Sequence, residues 1–361
     1  MPVSIKDIAQ AANVTPGTVS RALRDSPRVN SDTKKRIQRL ADEMGYTPDA
    51  QARSLVIGRT QTIGIVVTTM TDPFVGTMVQ TIESAAFEQG YTVILTSSNE
   101  IPEREIEAVQ MLQSRRVDGV IVTSSRVGSL YQEHLDRLRV PVVLINSLVH
   151  HTGGHTYSIG VDNHHGGYLA TSHLLQRGHR CIAYVSAPAD RSDNAERQRG
   201  YCDALAEAGI EADPSLVVQG TGRAGGGQRA LPQLLSLDPA PTAVFCYNDV
   251  TAIGLLTAAR ETGLSIPEDL AIVGFDDIAF AQFVYPALTT IAQPVHRLGR
   301  GAVEMVLALL PDDDRTERAV TDAQVRGRLV VRASSGQSQH RDAGESVGAE
   351  LSQRVGFKQG G

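Results

Sequence analysis

Residues 4–24, SIKDIAQAANVTPGTVSRALR, decide how the rest of the chain is read. They read as two short helices around a tight turn, with a positive outer face on the second. Ser4 can cap a helix over 5–11, and Asp7, at its third position, can reach back as a capping-box acid. Asn13 stands where the chain must turn sharply, and Asn tolerates left-handed backbone angles. Thr15 caps the second helix, and Pro16 fills its first position, where no backbone N–H is needed. On a helical wheel Val19, Ala22 and Leu23 form the inward stripe, while Gly17, Ser20, Arg21 and Arg24 face outward. A helix of this kind can lie in a DNA major groove, where Arg pairs bidentately with guanine O6 and N7. A plain helical hairpin with a solvated Arg face has the same local signature, so the neighbouring sequence must arbitrate.

Working outward, a third helix over 31–44 carries Ile37, Leu40, Ala41 and Met44 at core spacing and stops at Gly45. After Pro48 comes DAQARSL, good helix formers ending in Leu55. The first 60 residues hold ten Lys/Arg and six Asp/Glu, a charge of +4; the whole chain is −6, so the remainder carries −10. A basic head on an acidic body suits a module that meets phosphate.

The segments IKDIA (5–9), TPGTVSRAL (15–23), GYTP (45–48) and ARSL (52–55) stand in the order and spacing of the lactose-repressor/galactose-repressor (LacI/GalR) family of bacterial transcription regulators. The chain resembles that family over about residues 3–336. The resemblance implies a helix-turn-helix head over 1–48 and a hinge helix and linker over 49–60. Candidate DNA contacts are Ser4, Thr15, Pro16, Gly17, Thr18, Ser20, Arg21, Asn30, Tyr46, Ala52, Arg53 and Leu55. Residues 50–56 are expected to become helical only on DNA, with Leu55 of each protomer wedged into the minor groove.

Length and composition bound the body. A chain of 361 residues has room for the head and about two further domains, and 41% hydrophobic content can supply their cores. Trp is absent and aromatics are 4%, so aliphatic cores are expected. No apolar run approaches ~20 residues and no signal-peptide region opens the chain, so the expectation is a cytoplasmic protein with no membrane partner. Cys181, Cys202 and Cys246 are odd in number and set in apolar surroundings, which favours buried free thiols.

Buried-strand runs at 62–69, 91–96, 117–123 and 142–145 alternate with helical patterns at about 74–89, 102–115 and 128–138. The alternation resumes with strands at 181–186, 216–218, 243–247 and 270–275. Alternating strands and helices imply parallel sheets covered on both faces. Two such blocks hold too many strands for one sheet, so two lobes are expected. The strand at 287–291, the helix at 295–310 and the run 327–332 remain. The resemblance implies that they cross back between the lobes, the helix to the first and the final strand to the second. The result is an α/β bilobal periplasmic-binding-protein-like body over 61–336. The first lobe comprises about 61–161 and 290–325, and the second about 162–289 and 326–336. The polar, Gly-rich stretch 337–361 is expected to be a disordered tail.

In open α/β folds ligands sit beyond the carboxyl ends of the strands. The residues there are Asp72, Phe74, Ser124 and Asn146 in the first block, and Arg197, Asn248, Asp276 and Gln293 in the second. Carboxylates, amides and a guanidinium suit a small polar effector, sugar-like by the family resemblance, with Phe74 supplying an apolar face. Each acid has a plainer reading: Asp249 or Asp277 can simply cap the helix that follows. Where many family members carry an aromatic residue, this chain has GTGRAGGG at 220–227, so no bulky side chain can stack there. Arg223 could instead project toward an anionic effector.

Two decoys are weighed and set aside. Gly220, Gly222 and Gly225 spell GxGxxG after a strand, but Pro232 is expected to break the helix that a dinucleotide site needs. His150, His151, His155, His164 and His165 lack metal-ligand spacing and read as a solvated loop. No catalytic constellation, metal or cofactor is expected. The reading is a homodimeric repressor that binds a palindromic double-stranded DNA operator and answers to a small polar effector in the inter-lobe cleft. The alternatives are a cytosolic binding protein or a cleft enzyme without a regulatory role.

Overall fold

The computed structural model describes residues 3–46, 58–124, 140–147, 156–189, 191–310 and 321–336. Ala52, Arg53, Leu55, the helix expected at 128–138 and the tail 337–361 lie outside the described residues.

The head contains helices α1 (Ile5–Ala11), α2 (Pro16–Leu23) and α3 (Ser31–Glu43). Their starts follow the local chemistry. The Asp7 carboxylate accepts both the Ser4 N–H and the Ser4 hydroxyl at 2.8 Å, and these hydrogen bonds hold its pKa below the usual value. Thr15 Oγ1 accepts the Thr18 N–H at 3.2 Å, and Asn30 Oδ1 accepts that of Thr33 at 2.8 Å. Asn13 takes the left-handed angle the turn requires (φ 50°), as does Gly45 after α3 (φ 67°). Ile8, Val19, Ala22 and Ile37 are fully buried at the centre.

The body divides into two units, residues up to Ile159 with His296–Ala323, and Gly160–Val295 with Gln324 onward. In the first lobe, β1 (Thr62–Val67), β2 (Thr92–Ser97), β3 (Gly119–Thr123), β4 (Val142–Ile145), β5 (Thr156–Val161) and β11 (Ala323–Val325) form a sheet in the order β11-β5-β4-β3-β1-β2. The pairs from β2 through β5 are parallel, with Ile65 opposite Leu95 and Ile121. Helices α4 (Pro73–Glu88), α5 (Pro102–Ser114) and α10 (Val295–Ala308) belong with this sheet. An aliphatic core results, with Val66, Leu112, Val120 and Leu144 buried in it.

The second lobe repeats the pattern. Strands β6 (Ile182–Val185), β7 (Val217–Val218), β8 (Ala243–Cys246), β9 (Ala271–Asp276), β10 (Thr289–Ala292) and β12 (Arg328–Val330) lie in the order β12-β10-β9-β8-β6-β7. All the pairs are parallel except β10 with β12. Helices α6 (Asn163–Gln176), α7 (Ser192–Glu207), α8 (Ala224–Leu235) and α9 (Asp249–Glu261) cover it. Its core is also largely aliphatic, with Leu174, Ile182, Val273 and Ile291 buried, but a group of aromatic rings is set into it. The Tyr184 ring lies 5.7 Å from that of Tyr201 and 5.2 Å from that of Phe245.

Several expectations are corrected. The second crossing between units falls at Val295/His296, not at about 290, because β10 is buried between β9 and β12 and stays in the second sheet. Leu216 ends a short 3-10 helix, leaving β7 two residues long. Pro232 sits inside α8 without breaking it; Ala230, Leu231 and Leu234 are buried on the same helix, and that apolar face outweighs a cost of about 3 kcal/mol. His164 and His165 open α6 rather than a loop, because Asp162 caps that helix by accepting the His165 N–H at 2.9 Å. All three cysteines are free, but only Cys246 is buried; Cys181 and Cys202 are partly exposed. No helix of the described residues is long and apolar enough to cross a membrane.

Candidate functional site

The head presents the outer face of α2. Gly17 and Arg21 are exposed, and Arg21 Nε donates to the Gly17 carbonyl at 3.0 Å, laying the guanidinium along the helix. Arg24 does the same one turn on, donating to the Ser20 carbonyl at 3.1 Å and hydroxyl at 3.0 Å. Two other cations are engaged internally. Lys34 donates to the Asp25 carbonyl and carboxylate at 2.9 and 2.7 Å, and Arg36 to the Ala12 carbonyl at 3.0 Å. Ser4, Thr15 and Asn30 serve helix starts, and Tyr46 packs against the head core.

At the carboxyl edge of the first lobe, Asp72 caps α4 by accepting the Phe74 N–H at 2.9 Å, and Phe74 is buried. Ser124 and Asn146 both take positive φ (51° and 54°), and their N–H groups donate to the Ile145 and Ile159 carbonyls at 2.7 and 3.0 Å. Thr123 Oγ1, just before Ser124, is a buried hydroxyl without a hydrogen-bond partner among the described residues.

The carboxyl edge of the second lobe is built around Arg197, which lies on α7 with 3% of its side chain exposed. Glycines allow this placement. A Cβ on Gly167 would collide with the Arg197 carbonyl, and one on Gly200 with the His164 carbonyl, so α6 and α7 pack backbone to backbone. Arg197 Nε donates to Asn163 Oδ1 at 2.9 Å and Nη1 to the Tyr247 carbonyl at 2.6 Å. Its guanidinium lies 3.6 Å from the Phe275 ring centroid and 4.6 Å from that of Tyr247. Nη2 stands 3.9 Å from Asp193 Oδ2 and 4.0 Å from Asp276 Oδ1. Burial works against the Arg197 charge, yet Tyr247, Asp193 and Asp276 raise its pKa above the usual value. Burial likewise opposes the Asp193 charge, but Arg191, Arg197 and the Tyr247 hydroxyl, donating at 2.5 Å, hold its pKa down.

Asp276 ends β9 at φ 119° and accepts from Gln293 Nε2 at 2.7 Å. Arg197, Asp276 and Gln293 are therefore brought together. Asn248 has a structural duty: its Oδ1 accepts from the Thr251 N–H and hydroxyl at 2.9 and 2.7 Å, and its Nδ2 donates to the Gly222 carbonyl at 3.0 Å. The 220–227 glycine stretch is thereby tied to α9, with Arg223 at the start of α8. Neither Asp249 nor Asp277 is a helix cap. Asp249 is fully buried and accepts from Thr290 Oγ1 and the Ile278 N–H, while Asp277 pairs with Arg332 at 2.7 Å. Residue-by-residue reading missed Asn163, Asp193 and Tyr247. The i, i+4 spacing of Asp193 and Arg197 was the available signal.

Among the described residues, no group of three or more His, Cys, Asp or Glu side chains is placed to hold a metal. His164 pairs instead with Asp203 at 2.7 Å.

A helix-turn-helix head joined to two parallel-sheet lobes, with a polar network at the strand ends, defines a DNA-binding regulator with its own sensor domain. Residues 4–49 match the family of bacterial regulatory proteins, lacI family, and residues 171–335 match the periplasmic binding protein-like domain. The HTH-type transcriptional repressor PurR of Vibrio atlanticus (strain LGP32) is 37% identical over 317 residues, 87% of this chain and 94% of that protein. The structure of the transcriptional regulator CelR–cellobiose complex is similar at TM-score 0.68 and 29% identity, covering 92% of this chain and 99% of the other. The lac repressor dimer bound to operator and the anti-inducer ONPF shares the fold at TM-score 0.83 and 24% identity, covering 93% of this chain and 100% of the other. The chain belongs to the lacI family of bacterial regulatory proteins. It is a DNA-binding transcriptional regulator controlled by a small-molecule effector, and not an enzyme. The GxGxxG stretch is accordingly the sensor-lobe turn that leads from β7 into the first turn of α8.

Proposed function

We propose that the protein is a cytoplasmic repressor that binds a palindromic operator as a homodimer, its α2 helix in the major groove. Arg21, exposed at the centre of the outer face, is the principal base reader, supported by Thr15, Thr18 and Ser20; Pro16 and Gly17 offer little reach. Ser4, Asn30 and Tyr46 serve the phosphate backbone, and Ala52, Arg53 and Leu55 the minor groove. Arg21→Ala should cost roughly 1–3 kcal/mol on the operator and much less on random DNA. Operator sites selected from a random duplex pool provide the substrate, and equal losses on both DNAs would reduce Arg21 to a phosphate contact.

The effector reading rests on one observation: a buried guanidinium 3.6 and 4.6 Å from two aromatic ring centroids and 3.9 and 4.0 Å from two carboxylates, Asp193 at the start of α7 and Asp276 at the end of β9. That arrangement suits an effector rich in hydroxyl groups, read by Arg197, Asp276, Gln293 and Asn248, with Asp72, Phe74, Ser124 and Asn146 as the first lobe's contribution. The CelR–cellobiose complex supports a sugar-like effector. The test is a melting-shift screen of cellobiose, ribose, polyols and nucleobases, followed by operator binding with each hit. Linkage requires the effector and the operator to change each other's affinity by the same factor, about 1–3 kcal/mol. A hit that moves the melting temperature of an Asp276→Asn variant as it does the wild type would place the effector elsewhere.

A further inference from the structure

In the second lobe, two consecutive non-glycine residues, Asp276 and Asp277, take positive φ at the end of β9 (119° and 55°). L side chains in that region persist only where the surroundings hold them. Three side chains from distant stretches of chain converge on this turn. Asp249, in the first turn of α9, accepts the Ile278 N–H at 2.9 Å and the Thr290 hydroxyl at 2.5 Å. Thr290, on β10, in turn receives the Asp277 N–H at 3.4 Å. Arg332, two residues beyond β12, donates from Nη2 to the Asp277 carboxylate at 2.7 Å and from Nη1 to the Leu288 carbonyl at 2.8 Å. Gly274 is part of the same device, since a Cβ there would collide with Asp249 Oδ1 and push the carboxyl away from the turn.

We propose that Asp249, Thr290 and Arg332 are positioning residues that clasp the left-handed Asp276–Asp277 turn and so set the aim of Asp276 toward the effector. The aim of Asp276 matters through the effector reading above, on which this inference rests. The side chains named as contacts are then only part of the site. Its preorganisation comes from an acid that touches no effector and from an arginine in the segment that follows the third crossing. Burial, and next the nearby Asp276 charge, push the Asp249 carboxyl well above the usual range, opposed by its two hydrogen bonds. An acid kept there at that cost is consistent with a structural duty toward the turn.

The full chain, free of effector, allows a direct test by amide exchange at Asp277 and Ile278. Arg332→Met and Thr290→Val should speed exchange at these amides about tenfold or more beyond any change at the β6 and β8 amides, because a local opening adds to whatever stability the lobe loses as a whole. Arg332→Lys, which keeps the cation opposite Asp277, should recover most of the protection. Unchanged exchange at both amides in both disrupting variants overturns the clasp. Acceleration of equal size at the turn and at the β6 and β8 amides overturns it equally, since that is general destabilisation alone. The underlying reading is tested separately, by the melting shift that ribose or cellobiose gives to Asp276→Asn, so the failure of either claim is visible without the other.

Discussion

The two lobes share one strand order and differ in what they place at the strand ends. In the first lobe the edge is mostly hydroxyl and amide, with Ser124 and Asn146 in left-handed turns and Asp72 capping a helix. In the second the edge is a network of buried ionisable groups, Asp193, Arg197, Asp249 and Asp276, fixed by hydrogen bonds, ion pairs and ring faces. Buried charges are costly to desolvate and tolerate little rearrangement once paired. The same topology therefore carries a preorganised edge dense in ionisable groups on one sheet and an edge of mostly neutral groups on the other.

The largest effect that would break this contrast is at Arg197. Arg197→Ala strips the shared cation from Asp193 and Asp276 and orphans Asn163, so denaturant titration should show a loss of about 3–5 kcal/mol. Asn146→Ala, its counterpart in the first lobe, should cost no more than about 1–3 kcal/mol, the scale of one left-handed residue. Similar losses at the two sites would erase the distinction.

The pH response should also localise to the second lobe. His173 is buried with its Nε2 2.8 Å from Ser335 Oγ, and burial, with the charges of Arg177 and His179, lowers its pKa from 6.5 to about 4. Because the folded value is depressed, the unfolded chain binds more protons between those values, and stability falls as pH drops from about 6.5 to about 4. His173→Gln should flatten the denaturation midpoint across that window; an unchanged slope would remove His173 as its source.

A smaller and sharper comparison uses one substitution twice. Thr290→Val leaves Asp249 without its hydroxyl donor and should destabilise the second lobe by roughly 1–3 kcal/mol. Thr123→Val removes a buried hydroxyl that has no partner among the described residues. It should be neutral or stabilising, by about 1 kcal/mol at most. The melting temperature should therefore fall for Thr290→Val and hold or rise for Thr123→Val, and a fall in both would contradict the comparison.

Much of this was legible because it is local. The cap at Thr15, the left-handed Asn13, the stop at Gly45, and the alternation of strands with helices all rest on neighbours within a few residues. Arg197 and Gln293 gained their weight from the family resemblance, whereas Asp276 was brought up by the strand-end rule, which needs only the strand boundaries. Asp249 and Asp277 were ambiguous for the same reason. An acid after a strand can cap the next helix or buttress a turn, and both choices look alike along the chain.

The head, the alternation that demands two covered parallel sheets, and the chemical type of residue at each strand end all follow from the order of residues along the chain. Tertiary structure alone decided what those residues do. Arg332 meets Asp277 across 55 residues of chain, Thr290 meets Asp249 across 41, and Arg197 acquires its ring contacts from β9 and the end of β8. The physical reason is desolvation. Whether a carboxylate is a solvated cap or a buried buttress depends on what packs over it, and that packing comes from segments remote in sequence.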